Sequence, residues 1–191
     1  DQKFFQNLKI ITKGKSFLIR GSGVDVNYYK RENEIKKIDL KKKIKILFPS
    51  RIIKEKGILE LMEACQSLVD ENIDLNLYIP SDLSFHNRSF LKKEEKQNLS
   101  NKKWVKLLGQ LPDLKHLYED SHIIILPSWR EGLSMSLLEA SSMECSIITT
   151  NVPGCNDIVE HGKSGLLVPL NNSISIRLAI LFFINNPDIS E

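Results

Sequence analysis

The stretch that most limits how this chain can fold runs from His122 to Leu126 and holds three consecutive isoleucines and a leucine. A strand that is apolar on successive residues must be covered on both faces. That is the condition of a parallel sheet packed between helices. The chain then passes through Pro127-Ser-Trp-Arg-Glu131-Gly132 into a helical pattern, with Leu133, Leu137, Leu138 and Met143 on one side. Glu131 and Gly132 therefore fall in a strand-to-helix loop. In open α/β sheets, ligands bind at such carboxyl ends of strands. A helix N-terminus there offers N–H groups and partial positive charge to a phosphate. Glu139 follows about two turns into the helix, within reach of a sugar hydroxyl beside that phosphate.

The same alternation runs along the chain. Strands are expected at Lys43–Phe48, Leu75–Ile79, Trp104–Leu108, Ser146–Thr150 and Gly165–Val168. Helical patterns lie between and after them: Gly57–Asp70, the region of Phe90–Leu99, Pro112–Glu119 with Asp113 near its start, Ser134–Cys145, Asn156–His161 and Ser173–Ile184. Strands alternating with helices predict an α/β fold with a doubly wound parallel sheet. Ahead of this unit, Asp1–Ile11 is an amphipathic piece with Phe4, Phe5 and Leu8. Ser16–Ile19 reads as a short strand feeding the turn Gly21-Ser22-Gly23, whose glycines suit a hinge. Tyr28–Leu40 is a charged connection.

Composition narrows the function classes. The 191 residues are 41% hydrophobic and 27% charged, enough for one domain with a sizeable core. A net charge of +3 does not argue for nucleic acid. Cys65, Cys145 and Cys155 are odd in number and lack metal-ligand spacing, so a reduced, cytoplasmic setting is expected. No apolar run reaches transmembrane length; Leu178–Ile184 is far too short. His86, His116, His122 and His161 show no metal spacing, and no G-x-G-x-x-G follows a strand, which removes the dinucleotide-dehydrogenase reading.

Several residues could carry chemistry. Arg51 and Lys56 follow the first strand of the sheet in a short loop. Fixed cations there would stabilise the charge on a departing diphosphate, Arg as a bidentate donor and Lys as a point charge. The plain alternative is a solvated loop in which Glu55 offsets the charge. Glu131 and Glu139 could be read as a glycosidase pair, but one in a loop and one two turns into a helix suit the gripping of a ligand better. Two structural alternatives stay open: Ser136-x-x-Glu139 has the form of a capping box, and Glu131 could pair with Arg130. Lysines 36, 37, 41, 42, 43 and 45 form a charge run, read either as a solvated surface or as a contact for anionic headgroups.

The stretch from Glu131 to Glu139 resembles the Glu-x7-Glu signature of retaining GT-B glycosyltransferases of family 4. Glu139 to Pro169 is similar to that family's run from the second Glu to its last strand. Gly21–Asp25 and Ser50–Gly57 fall where it has its "nGvD" and "gRl..eKG" segments. Together these cover about Ser16 to Leu170.

The resemblance implies a Rossmann-like domain, the C-terminal half of a GT-B fold. Residues 16–191 would bind a nucleotide sugar, and residues 1–15 would end a preceding domain that binds most of the acceptor, a glycan or lipid-linked saccharide. The implied reaction moves a hexose or N-acetylhexosamine from a nucleotide diphosphate, UDP by preference, to an acceptor hydroxyl. Configuration is retained, no metal or cofactor is required, and the leaving phosphate helps deprotonate the acceptor. Arg51 and Lys56 would hold the diphosphate, with the backbone N–H groups of Gly132, Leu133, Ser134 and Met135. Glu131 would contact the transferred sugar and Glu139 the ribose hydroxyls. Gly109-Gln110 would touch the base, although a turn glycine alone accounts for Gly109 equally well. Gly-Leu-Ser stands where most relatives have Gly-Phe-Gly or a Pro variant, and Glu144 and Ser146 stand where relatives often carry Gly and Pro. Leu77–Asp82 lacks a glycine-rich end; together with Arg130-Glu-Gly132 and Pro153-Gly-Cys-Asn-Asp157 this leans toward capsule, O-antigen or other lipid-linked glycan synthesis, with peripheral membrane contact. Rival readings are a non-catalytic scaffold subunit and a sugar-nucleotide epimerase.

Overall fold

A computed structural model describes residues 2–12, 14–15, 17, 21, 23–34, 38–39, 41–83 and 91–187. The expected strand at Ser16–Ile19 and its Ser22 turn residue, together with Lys36, Lys37, Leu40, His86 and Phe90, involve positions outside them.

Among the described residues, six strands form one parallel sheet: β1 (Ile44–Leu47), β2 (Leu75–Ile79), β3 (Val105–Leu107), β4 (Ile123–Leu126), β5 (Ser146–Thr150) and β6 (Leu166–Val168). Their order is β3-β2-β1-β4-β5-β6, with β1 paired to β4 through Ile46↔Ile123 and Leu47↔Ile124. This is the Rossmann-like order, in which the sheet is wound outward in both directions from its centre. Every residue of β4 and β5 is buried, as a strand covered on both faces requires.

The helices are α1 (Gln2–Asn7), α2 (Ile58–Asp70), α3 (Lys93–Asn101), α4 (Lys115–Asp120), α5 (Met135–Ser142) and α6 (Ser173–Asn185). In α2 the buried side chains Ile58, Leu61, Met62, Cys65 and Leu68 recur at helical spacing and face the sheet. α6 returns to pack on α2, with Ile176, Ile180, Phe183 and Ile184 inward. α4 and α5 lie together on the other face, as right-handed crossovers demand.

Three helix boundaries differ from expectation. α4 starts at Lys115 rather than Pro112, because Asp113 bonds the Lys115 N–H at 3.0 Å and shapes an entry turn. α5 stops at Ser142 because Glu144 adopts φ +54, the left-handed conformation that ends a helix. The expected helix at Asn156–His161 does not form. Pro153–Ile158 is a run of turns that mixes bonds to the third and fourth preceding carbonyls, such as Asn156 N to Val152 O and Ile158 N to Cys155 O. Local side chains compete for the backbone there. Asp157 Oδ2 takes the Gly154 N–H at 3.0 Å, and the Asn156 side-chain amide donates to the Asn151 side-chain carbonyl at 2.9 Å.

Candidate functional site

β1 and β4 adjoin where the strand order reverses. In open α/β sheets, ligands bind in the crevice outside the carboxyl ends of strands at such a reversal. The loop after β1 ends in a 3-10 turn, Lys54–Lys56, closed by Gly57. Gly57 has φ +72, and a Cβ there would stand 2.1 Å from the Pro127 carbonyl oxygen. Glycine is thus what lets the β1 loop press against the β4 loop. The Trp129 N–H donates to Glu55 O at 2.8 Å and fastens the two together. From the other side, Thr149 Oγ1 donates to Leu126 O at 2.7 Å and Thr150 Oγ1 donates to Ser128 O.

This scaffold brings Lys56 and Glu131 into an ion pair at 2.6 Å, with side chains only 19% and 10% exposed. Ser128 Oγ donates to the same carboxylate oxygen at 2.7 Å. Lys56 and Ser128, not Arg130, hold Glu131. Glu131 is therefore gripped through Oε1, and Oε2 has no partner among the described residues. Arg51 is exposed and lines an open cleft whose lining includes neither Lys56 nor Glu131.

The Gly132–Met135 segment leads into α5 with Ser134 as its N-cap residue. Ser134 makes no capping bond; its hydroxyl lies 3.2 Å from Ser136 Oγ. Because the helix begins at Met135, Ser136 is not the cap and the Ser136-x-x-Glu139 capping box does not exist. Among the described residues, the N–H groups of Gly132, Leu133 and Ser134 are engaged by no other protein group. They sit ahead of a helix whose dipole favours an anion. Gly154 seals the outer side of this loop: a Cβ there would lie 2.3 Å from the Gly132 carbonyl oxygen.

Glu139 is partly buried one and a half turns into α5, and its Oε2 accepts from the Tyr118 hydroxyl at 2.8 Å. Burial is the largest influence on its carboxyl and raises the pKa; the hydroxyls of Tyr118 and Tyr29 oppose this, and Asp113 adds to it.

The open cleft has a volume of ≈ 530 Å³ and is lined by Pro49, Ser50, Arg51, Pro80, Gln110 and Leu111, with Pro112 and Leu114 behind. Gln110 thus lies on the cleft wall. Gly109 beside it has φ +73, with no atom within 4 Å of the place a Cβ would take. Its backbone conformation alone accounts for the glycine.

Other expected features lie apart from the site. Lys41 and Lys42 precede β1, at the end opposite the crevice. Lys43 pairs with Asp74 at 3.2 Å and Lys45 with Asp120. His122 Nδ1 accepts the Lys45 N–H at 2.8 Å, and His161 Nδ1 accepts that of Leu167 at 3.0 Å. Among the described residues no three His, Cys, Asp or Glu side chains gather as a metal site, and no helix is long and apolar enough to cross a membrane.

Sequence reasoning named Lys56 but not its pairing with Glu131, and it missed Ser128, Tyr118 and Tyr29. Ser128 stands three positions before Glu131, and this Ser-x-x-Glu spacing was a usable signal. Tyr118, Tyr29 and Asp113 gave none, since they reach Glu139 only through tertiary packing.

Comparisons with known proteins bear on the family and the fold. Residues 30–191 match the family model described as Glycosyl transferases group 1. A Staphylococcus aureus capsular polysaccharide biosynthesis glycosyltransferase, CapM, is 28% identical over 144 residues, covering 75% of this chain and 37% of that protein. An Escherichia coli UDP-Gal:alpha-D-GlcNAc-diphosphoundecaprenol alpha-1,3-galactosyltransferase is 30% identical over 170 residues, covering 84% and 43%. The crystal structure of a glycosyltransferase from Rickettsia africae superposes with a TM-score of 0.79 at 26% identity, covering 99% of this chain and 52% of that one. The chain spans less than half the length of either curated relative.

Proposed function

The chain belongs to the group 1 glycosyl transferases, and on that premise we propose that it is the donor-binding half of a retaining, UDP-sugar-dependent enzyme. The relatives that make capsule and lipid-linked glycans support an acceptor of that class. A hexose or N-acetylhexosamine is the sugar transferred.

The observation that carries the reading is the Lys56–Glu131 pair at the sheet's switch point, beside the N–H groups that lead into α5. Lys56 and Arg51 take the diphosphate, and Gly132, Leu133, Ser134 and Met135 present their backbone to it. Negative charge grows on the departing phosphate as the bond to the sugar breaks, and cations fixed in place lower that barrier. This division of labour needs no divalent cation. Glu131, held through one oxygen, turns the other to the sugar hydroxyls. Glu139 receives the ribose hydroxyls, and the base enters the cleft at Gly109-Gln110. Departing phosphate takes the acceptor proton, and the new bond forms on the face the phosphate leaves. The acceptor is held mainly by a further domain, with peripheral contact at the cytoplasmic face of a membrane.

Calorimetric titration of UDP into Lys56→Ala and Glu139→Ala variants tests the assignment. Each is expected to bind at least about tenfold more weakly, the size of a lost charge-assisted contact. Wild-type affinity in both would overturn it.

A further inference from the structure

Tyr118 has no place in the reading above, yet its whole side chain is buried against Glu139. It lies on α4 with no exposed surface, and its hydroxyl donates to Glu139 Oε2 at 2.8 Å. A buried phenol needs an acceptor, and a carboxylate is the strongest on offer. Burial and the nearby Glu139 charge drive the Tyr118 pKa far above the ordinary phenol range, so the hydroxyl remains a donor at any pH the fold survives. Tyr29 stands edge-on to the Tyr118 ring, centroids 6.4 Å apart, and its hydroxyl also faces Glu139. Tyr29 is itself held by Asp113, 3.4 Å from its hydroxyl, while its carbonyl accepts from Ser142 Oγ on α5 at 2.6 Å.

We propose that Tyr118 is a positioning residue that fixes the Glu139 carboxylate for the ribose hydroxyls of the donor, an inference that rests on the donor-binding reading. Rotamer freedom in a half-buried glutamate would spread its oxygens over several positions. A hydroxyl fixed by packing on a neighbouring helix confines Oε2 and so the whole carboxylate, whose remaining lone pairs can meet the diol. The bond also favours the charged carboxylate. Glu139 faces Tyr118 from α4, Tyr29 from the entry segment, and Asp113 ahead of α4; of these only the two hydroxyls oppose the upward push of burial. Without Tyr118 that push meets less opposition, and Glu139 takes up its proton at a higher pH.

The test compares UDP with 2′-deoxy-UDP by calorimetry on the 191-residue chain, for wild type, Glu139→Gln, Tyr118→Phe and Leu117→Ala. Melting temperatures are read alongside. Tyr118→Phe keeps the ring volume, and Leu117→Ala loosens α4 without touching Glu139. Wild type is expected to prefer UDP by about tenfold, the scale of one charge-assisted hydrogen bond. In Tyr118→Phe that preference collapses while 2′-deoxy-UDP binds as before, and the loss deepens as pH falls. Leu117→Ala melts earlier with its preference intact. If Glu139→Gln collapses and Tyr118→Phe does not, or if Tyr118→Phe weakens both ligands equally, the positioning role is overturned and donor binding stands. If wild type shows no preference, or Glu139→Gln retains it, the donor-binding reading fails and takes this inference with it.

Discussion

Lys56 Nζ lies 2.6 Å from Glu131 Oε1, so the loop after β1 and the loop after β4 meet in an ion pair largely removed from solvent. Each charge compensates the other, and each offers further hydrogen-bonding capacity to a ligand. The two partners are nevertheless given different tasks. Lys56→Ala is expected to lower UDP affinity by about tenfold to a hundredfold, because a positive charge facing the diphosphate is lost. Glu131→Gln is expected to leave UDP affinity within about threefold, yet remove the added affinity of a UDP-sugar over UDP. Calorimetry with UDP and UDP-glucose or UDP-galactose reads both. Equal losses of UDP binding in the two variants would contradict the division.

Two glycines with the same backbone sign should respond differently to a methyl group. Gly57 and Gly109 have φ of +72 and +73, but only at Gly57 would a Cβ strike backbone, 2.1 Å from Pro127 O. Gly109→Ala carries only the conformational cost, about 1 kcal/mol. Gly57→Ala adds a clash that forces the β1 and β4 loops apart, and a loss above about 3 kcal/mol is expected. Urea denaturation measures both, and a smaller loss at Gly57 would refute the close-approach argument.

Glu144 offers the converse. It holds φ +54 at the end of α5, where a side chain costs about 1 kcal/mol or more. Glu144→Gly is expected to raise stability by about 1 kcal/mol, with no change in UDP affinity. A lower denaturation midpoint would contradict it. This is also the position where the family pattern has glycine, and the structure supplies the physical reason.

Legibility in the sequence followed the range of the interactions. β2 and β5 fall where period and composition put them, because a buried strand is a local property of its residues. So does the placement of Glu131 in a loop and Glu139 in a helix. The 156–161 segment misled because apolar spacing there resembles a helix, while Asp157 and Asn156 spend their side chains on local turns. The capping-box alternative fails on a boundary: the pattern is present, but the helix starts two residues too early for it. Tyr118 reaches Glu139 across 21 positions, and Ser142 reaches Tyr29 across 113, distances over which no sequence period operates.

The pH dependence of stability should run opposite to that of binding. Burial raises the Glu139 pKa above its unfolded value. A carboxyl so shifted stabilises the fold fully below its unfolded pKa, and that contribution is lost as pH rises through the folded one. Glu139→Gln is therefore expected to melt higher than wild type at pH 7, with the difference vanishing as pH falls toward 4. UDP affinity of the wild type should instead fall across the same descent, as the ionised carboxylate disappears. Thermal melts of both proteins from pH 4 to 8 check the sign; a Glu139→Gln variant that melts lower at pH 7 and equal at pH 4 would reverse it.

The most direct test of the account is a titration of the chain with UDP, GDP, ADP and a panel of UDP-sugars, with and without EDTA, read by calorimetry. Selective binding of UDP, unchanged by EDTA and weakened by about tenfold or more in Lys56→Ala, is the predicted result. A folded chain that binds none of them, or binds only when a divalent cation is present, would contradict a metal-free donor site at the β1–β4 crevice.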